Sequence, residues 1–434
     1  MTRLGRVALR RIVLCFVAAI VLASVGGCWD RRELDESLHV LSAFLDLEPD
    51  GMIRLTVEVL SLGGGGGQTA QQSTHVVLTA VGGSFEEAAW NARWQVQSPL
   101  NFAHAGAVVL GEELARSGIA DVVDSLAQSY EVRRRTLMAV VKGKAADLLS
   151  AARTASRHSE QITGLIEAES VGASGVGSFT LNEVIRSLSG EGKDVVLARF
   201  VLQPPPPVKH VIEHAQGGGG AAGDSGGGEA GDSGGAQGEE PPVMKLDGAA
   251  VFGGDGRLAG FLEEREAAAL QLIIGSARAR ILRVPTDTAS ARNGFTLRTA
   301  TSSARYEAAQ AGSRLTLGVR VHVEADLLEL ETGGDMASPA DIAHIEQLAA
   351  QHLEALILDT LTHCASDIGA DPAGLGRFLS RWHPRLWDQY RDRWPETLAD
   401  AEIRTEVKVS IVNTGMLLRK ARGPDQVPPP GGGN

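Results

Sequence analysis

Ile53-Arg54-Leu55-Thr56-Val57-Glu58-Val59 alternates apolar and polar side chains without a break, the period-two pattern of a strand with one face turned to a core. Residues 38–48 read as extended too, and Pro49-Asp50-Gly51 between them is a turn, so the two runs form a hairpin with one buried face. The glycines Gly63 to Gly67 loosen the next loop, and a third strand follows over 75–81. A helix then starts where Ser84 and Glu87 have the spacing of a capping box. Strands over 105–110 and 137–141 enclose a helix over 112–128. Strands and helices mixed in this order define an α+β domain over 28–150.

A middle domain is expected over 151–262, with helices near 160–169 and 181–188, a strand over 195–202, and extended structure around a Gly254-Asp255-Gly256 turn. Its centre is interrupted by Pro204 to Pro207 and a Gly/Ser/Asp/Glu tract, an insert of about 203–242 whose composition buries too little apolar surface to offset ordering entropy. The domain closes across this insert. A C-terminal α+β domain over 263–420 begins with a helix to about 274 and continues with strands over 295–301 and 314–324. Ser338 and Pro339 then open a helix whose Ile342, Ile345, Ala349, Leu353 and Leu356 share one face. The alternating run from Ile403 to Ile411 is expected to complete the same antiparallel sheet, and 421–434 is expected to be a disordered tail. The fold class is therefore α+β, a three-domain elongated protein of antiparallel and mixed sheets packed by helices.

The chain's start has a different character. Arg3, Arg6, Arg10 and Arg11 precede an apolar run from Ile12 to about Val25, which ends at Gly26-Gly27-Cys28. This is the layout of a secretory signal over 1–27, and its apolar run is shorter than the roughly 20 residues that span a hydrocarbon core. A cysteine directly after small residues is the substrate of lipoprotein processing, so Cys28 is the expected lipidation site, carrying a covalent diacylglycerol and an N-acyl chain. Two chains on one residue anchor stably where one binds only marginally. The formal charge of −12 falls to about −16 when the signal arginines leave, which opposes nucleic-acid binding and adhesion to anionic headgroups by net charge. With Cys15 in the signal and Cys28 acylated, only Cys364 remains, so no intramolecular disulfide forms and packing alone holds the fold.

Few residues form catalytic constellations. Gly223-Asp224-Ser225-Gly226-Gly227 spells the surroundings of a protease nucleophile, but it recurs at Gly231 to Gly235 inside low-complexity sequence without strands to hold a hydroxyl. His210 and His214 have helical spacing but no further ligands, and zinc needs three or four. Gly172, Gly175 and Gly177 lack the Lys-Ser/Thr ending of a phosphate loop. Cys364, late in an apolar-periodic helix, reads as a small core residue. Glu263, Glu264 and Glu266 crowd a helix start, where the helix dipole favours acids, and the first two are candidates for a contact surface. In a chain with only 4% aromatic residues, Trp382, Trp387, Tyr390 and Trp394 are interleaved with Arg377, Arg381, Arg385, Arg391 and Arg393. Trp and Arg are the residues most enriched at interaction hot spots.

Three stretches together resemble the Ger(x)C family of spore-germination lipoproteins, the C subunits of nutrient germinant receptors. They are Gly27-Cys28-Trp29-Asp30-Arg31-Arg32-Glu33-Leu34-Asp35-Glu36; Gly248 to Phe252 with Gly260-Phe261-Leu262-Glu263-Glu264-Arg265-Glu266; and Asp367-Ile368-Gly369 with Gly374-Leu375-Gly376-Arg377-Phe378, Trp387 and the closing strand to Gly415. The long acidic tract and an inserted Ala370-Asp371-Pro372-Ala373 depart from the family pattern. The resemblance implies a non-catalytic, cofactor-free protein on the outer surface of the spore inner membrane. Its expected partners are the membrane-embedded A and B subunits, met through a surface including Trp29, Arg31, Arg32, Glu263, Glu264, Arg377 and Trp387. The alternative is a membrane-tethered solute-binding lipoprotein feeding a transporter.

Overall fold

Gly51 makes the first turn possible: at φ +83° it adopts a conformation that side chains with a Cβ disfavour. Its N–H donates to the Glu48 carbonyl at 2.9 Å, and the Glu48 N–H donates to the Met52 carbonyl at 2.8 Å. The flanking strands β1 (Leu38–Leu47) and β2 (Ile53–Ser61) pair antiparallel, with Leu45 opposite Leu55, and β3 (Thr74–Gly82) adds to β2. The computed structural model describes residues 37–61, 74–151, 157–172, 180–190, 192–205, 241–275, 279–286, 294–312, 314–330 and 339–414, together with Leu14 and Phe16.

From this hairpin grows a nine-stranded mixed sheet in the order β3-β2-β1-β5-β6-β7-β8-β9. Its further members are β5 (Ala107–Gly111), β6 (Leu137–Val141), β7 (Val196–Gln203), β8 (Val243–Phe252) and β9 (Leu258–Leu262), with the short β4 (Leu100–Asn101) beside β1. Strands β1, β5, β6 and β7 run parallel, while β8 and β9 return antiparallel. The sheet continues across residue 150, so the N-terminal and middle units expected from the sequence share one sheet. Gln203 pairs with Val243, and the chain thus closes across the insert; residues 206–240 lie outside the described residues.

The helices of this half are α1 (Phe85–Arg93), α2 (Glu112–Ser117), α3 (Ala120–Gln128), α4 (His158–Gly172) and α5 (Leu181–Leu188). The single helix expected over 112–128 is two, broken at Gly118 with φ +120°. The capping box at Ser84 is half formed: the Ser84 hydroxyl accepts the Glu87 N–H, but Glu87 accepts from Gly83, one residue earlier than the motif requires. The hairpin is buried on both faces rather than one, since Thr56 and Glu58 are each only 3% exposed. Over Glu58 the cover is α4, whose Ser159 N–H donates to the Glu58 carboxylate at 2.8 Å, and the Thr56 hydroxyl meets that of Thr79 on β3 at 3.2 Å. Periodicity marks a strand's polar face but does not reveal a helix that comes to cover it.

The second sheet has the order β10-β11-β12-β13. Strand β10 (Ile281–Pro285) was not anticipated, and β11 (Gly294–Ala311) and β12 (Arg314–Leu330) are much longer than their apolar cores. Leu317, Val319, Val321, Val323 and Ala325 of β12 are buried on one face, on which α6 (Glu264–Ile274) packs. The expectation of a wholly antiparallel sheet fails at β13 (Glu402–Asn413), which runs parallel to β12 with Thr316 opposite Glu402. A parallel neighbour requires a crossover. Here α7 (Pro339–His363), α8 (Leu375–Trp382), α9 (Pro384–Tyr390) and α10 (Trp394–Asp400) supply it. As expected, α7 presents Ile345, Ala349 and Leu353 to the core, and its face packs on β13; its candidate cap Ser338 lies outside the described residues.

Candidate functional site

The strongest local constellation lies where the two sheets meet. Beyond α7 the chain makes one wide helical turn, Cys364–Ile368, closed by Gly369 at φ +71°. Asp371 follows and is 2% exposed. Its carboxylate accepts the N–H groups of Gly374 (2.8 Å), Leu375 (2.9 Å) and Gly376 (2.6 Å) and the Trp394 indole N–H (3.1 Å). An acidic side chain thereby takes up the free N–H groups at the start of α8, where the helix dipole also favours negative charge.

The segment before β7 grips this knot through two main-chain bonds and the Asp194 carboxylate. The Asp371 N–H donates to Asp194 Oδ2 at 2.6 Å, the Asp194 N–H donates to the Asp371 carbonyl at 3.2 Å, and the Arg377 N–H donates to the Gly192 carbonyl at 2.6 Å. Gly192 has φ +72°, and a Cβ there would stand 2.5 Å from the Gly376 carbonyl carbon. A Cβ on Gly376 would in turn meet the indoles of Trp394 and Trp387 within 3.0 Å, so both glycines are needed for close approach.

Burial governs the electrostatics. It pushes the Asp194 carboxyl up to about 6 and the Tyr306 hydroxyl, which donates to the Ala373 carbonyl at 3.0 Å, up to about 12. Burial lowers Lys193, and the Arg377 guanidinium adds to that. It raises Asp371 against the opposing N–H groups. A polar cleft of about 380 Å³ opens beside the joint, with Lys193, Asp194, Gly253, Trp387, Arg391 and Asp392 in its wall. Among the described residues no group of three or more His, Cys, Asp or Glu side chains could hold a metal ion.

The residues singled out in the sequence are scattered. Glu263 and Glu264 are exposed, and each faces a cation: Glu263 pairs with the buried Arg199 at 3.2 Å, and Glu264 with Lys245 at 3.5 Å. Glu266 accepts the Glu263 N–H at 2.8 Å and meets His363 at 2.6 Å. Arg377 is exposed and lines a concavity with Ile273, Ile274 and Gly275 at the far end of α6 from the two acids, an axial separation of about 16 Å for an 11-residue helix. Trp387 is largely covered, showing only an edge to the cleft beside the joint. It is 5% exposed and packs edge-to-face on Trp394 with ring centroids 5.3 Å apart, whereas Trp382 is 66% exposed. Cys28, Trp29, Arg31, Arg32, His210, His214 and Ser225 lie outside the described residues. Cys364 is a buried core thiol, pushed up to about 12 by burial.

Asp194, Gly192 and Asp371 were missed by sequence reasoning. Asp371 carries a usable signal, an acid shortly before a helix start, although its segment departs from the family pattern as an insertion. Asp194 has no local signal, because its partner is 177 residues away.

Two α+β halves, one on a nine-stranded and one on a four-stranded sheet, joined by a buried carboxylate knot, define the class of fold. The chain matches the family described as spore germination protein N-terminal domain over residues 30–202 and that described as spore germination B3/GerAC-like, C-terminal, over 247–415. It belongs to the Ger(x)C family of spore germination proteins. Similar proteins from Bacillus subtilis (strain 168) include the putative spore germination protein YfkR, 24% identical with 94% of this chain and 98% of that one covered. Another is spore germination protein KC, 23% identical with 93% and 96% covered. The crystal structure of the GerBC protein superposes with a TM-score of 0.53 at 16% identity, covering 88% of this chain and 100% of that one, and shares the fold.

Proposed function

We propose that the chain is the lipid-anchored, non-catalytic C subunit of a nutrient germinant receptor, held through Cys28 on the outer surface of the spore inner membrane. There it supports assembly or signalling of the receptor together with the membrane-embedded A and B subunits. The observation that carries this reading is the match to spore germination families in both halves, over residues 30–202 and 247–415. Two features agree with it. The sequence around Cys28, small residues directly before a cysteine after a short apolar run, supports attachment through an acylated cysteine, and no helix among the described residues is long and apolar enough to cross a membrane. The knot at Asp371 also joins the halves into a scaffold suited to presenting one surface to partners.

Spores lacking the gene, in a strain whose paralogous receptors are also removed, should fail to germinate with the cognate nutrients and recover on complementation. Unaltered germination with every nutrient would contradict the reading. A second reading, a tethered solute-binding lipoprotein that feeds a transporter, draws on the polar cleft of about 380 Å³ beside Lys193 and Asp194, whose size and polarity suit an amino acid or a sugar. Calorimetry separates the two: saturable micromolar heat with a nutrient favours capture, and its absence with all germinants favours the assembly role.

A further inference from the structure

We infer that the outer face of α1 with its C-cap, bearing Trp90 and Trp94, forms with the adjoining arginines 133–135 a docking surface for anionic lipid headgroups. The inference rests on the reading of a membrane-anchored chain but involves other residues than the anchor. Helix α1 buries Phe85, Ala88, Ala89 and Ala92. At 100° per residue, Trp90 and Trp94 fall on the opposite side. They are 56% and 76% exposed, and their rings meet edge-to-face with centroids 6.1 Å apart. In a chain with 4% aromatic residues, two adjacent indoles left in water mark a surface that something covers. An indole, apolar in body with one N–H to satisfy, is the side chain best suited to the headgroup layer of a bilayer.

Charge points to the same occupant. Arg93, next to Trp94, donates to both carboxylate oxygens of Glu131 at 3.1 and 3.0 Å, which ties α1 to the segment carrying Tyr130, Arg133, Arg134 and Arg135. All four are exposed, Tyr130 to 90%. Counting Arg93, Arg133, Arg134 and Arg135 against Glu131 and the exposed Glu86 and Glu87 on the same side of α1, this surface carries one more positive than negative charge, in a chain whose net charge is −12. Each basic residue held near an anionic membrane contributes about 1 kcal/mol of attraction, so a local patch can adhere where the whole chain's charge would not.

The position of the chain's entry into the fold agrees as well. The Leu38 N–H donates to the Pro99 carbonyl at 3.0 Å, and Pro99 is only five residues beyond Trp94. Cys28 precedes Leu38 by ten residues, which span at most about 35 Å. A lipid on Cys28 therefore holds this edge of the molecule close to the bilayer, where a second weak contact acts at high effective concentration.

The test uses the mature chain carrying Cys28→Ser, which takes no lipid, in co-sedimentation with vesicles of equal parts phosphatidylcholine and phosphatidylglycerol and with vesicles of phosphatidylcholine alone. The chain should partition onto the anionic vesicles. Trp90→Ala combined with Trp94→Ala should lower that partition about tenfold or more, and Arg133→Gln with Arg135→Gln should lower it in a salt-dependent way. Neither pair should move the unfolding midpoint, since all four side chains are exposed. Equal partition of the parent and the tryptophan variant, or no preference for phosphatidylglycerol, overturns the inference. So does an absence of binding to either vesicle, which would leave the face to a protein partner. Whether Cys28→Ser releases the chain from cell membranes is read separately, so failure of the anchor and failure of this surface are distinguishable.

Discussion

Asp194 and Asp371 hold each other reciprocally, one bond through the Asp194 side chain and one through main chain: the Asp371 N–H donates to Asp194 Oδ2 at 2.6 Å while the Asp194 N–H donates to the Asp371 carbonyl at 3.2 Å. One residue leads into the nine-stranded sheet and the other follows the long helix of the C-terminal half. Their reciprocal contact makes the relation between the halves a matter of hydrogen-bond geometry as well as of apolar packing.

This pair predicts an unusual pH dependence. Burial raises Asp194 from 3.8 to about 6, so between those values the folded chain binds the proton more tightly than the unfolded chain. The contribution is therefore fully present below the unfolded value and is lost as pH rises through about 6. Asp194→Asn keeps an acceptor but has nothing to titrate. Relative to it, the parent chain should lose up to roughly 3 kcal/mol between about pH 4 and pH 7, measured by urea unfolding across that range. Parallel stability curves for the two proteins would contradict this.

Asp371→Ala removes the acceptor of four N–H groups and leaves them buried. A loss of about 3–5 kcal/mol is expected, with a lower denaturant midpoint and earlier proteolysis near the joint. Asp371→Asn should fall between, because its amide places a donor against backbone donors. If Asp371→Ala unfolds at the parent's midpoint, the knot is not what joins the halves.

Two glycines with similar dihedral angles should respond differently to alanine. At Gly51, φ is +83° but a Cβ meets nothing within 4 Å, so Gly51→Ala should cost only about 1 kcal/mol of backbone strain. At Gly192, φ is +72° and the Cβ would strike the Gly376 backbone. Gly192→Ala should cost at least about 2 kcal/mol, and thermal unfolding of the two variants side by side checks the difference.

Cys364 offers a probe of global unfolding. Its thiol is buried and pushed up to about 12, so almost no thiolate exists at neutral pH and none is accessible. Alkylation by iodoacetamide, followed by mass spectrometry, should be negligible in the native chain and rapid in denaturant. Fast modification of the native chain would show that this part of the core opens locally.

Much of this fold is legible in the sequence because its signals are local. The alternation at Ile53 to Val59, the turn at Gly51 and the face of Ile345, Ala349 and Leu353 each identify an element from its own residues. The misreadings arise where distant contacts decide. Glu58 reads as a solvent-facing residue until Ser159 covers it, and β13 reads as antiparallel until four helices carry the chain back across the sheet. Trp387 reads as an interaction anchor, yet Gly376 leaves room for its ring in the core. The joint itself was the least legible, since a bond between residues 194 and 371 leaves no trace in either neighbourhood.

The most direct test of the proposed role is a pull-down of the tagged chain from detergent-solubilised spore membranes, with the bound proteins identified by mass spectrometry. A C subunit should bring with it two membrane-embedded proteins, an A and a B subunit, in constant ratio. Recovery of neither, or of a solute transporter in their place, would contradict the account.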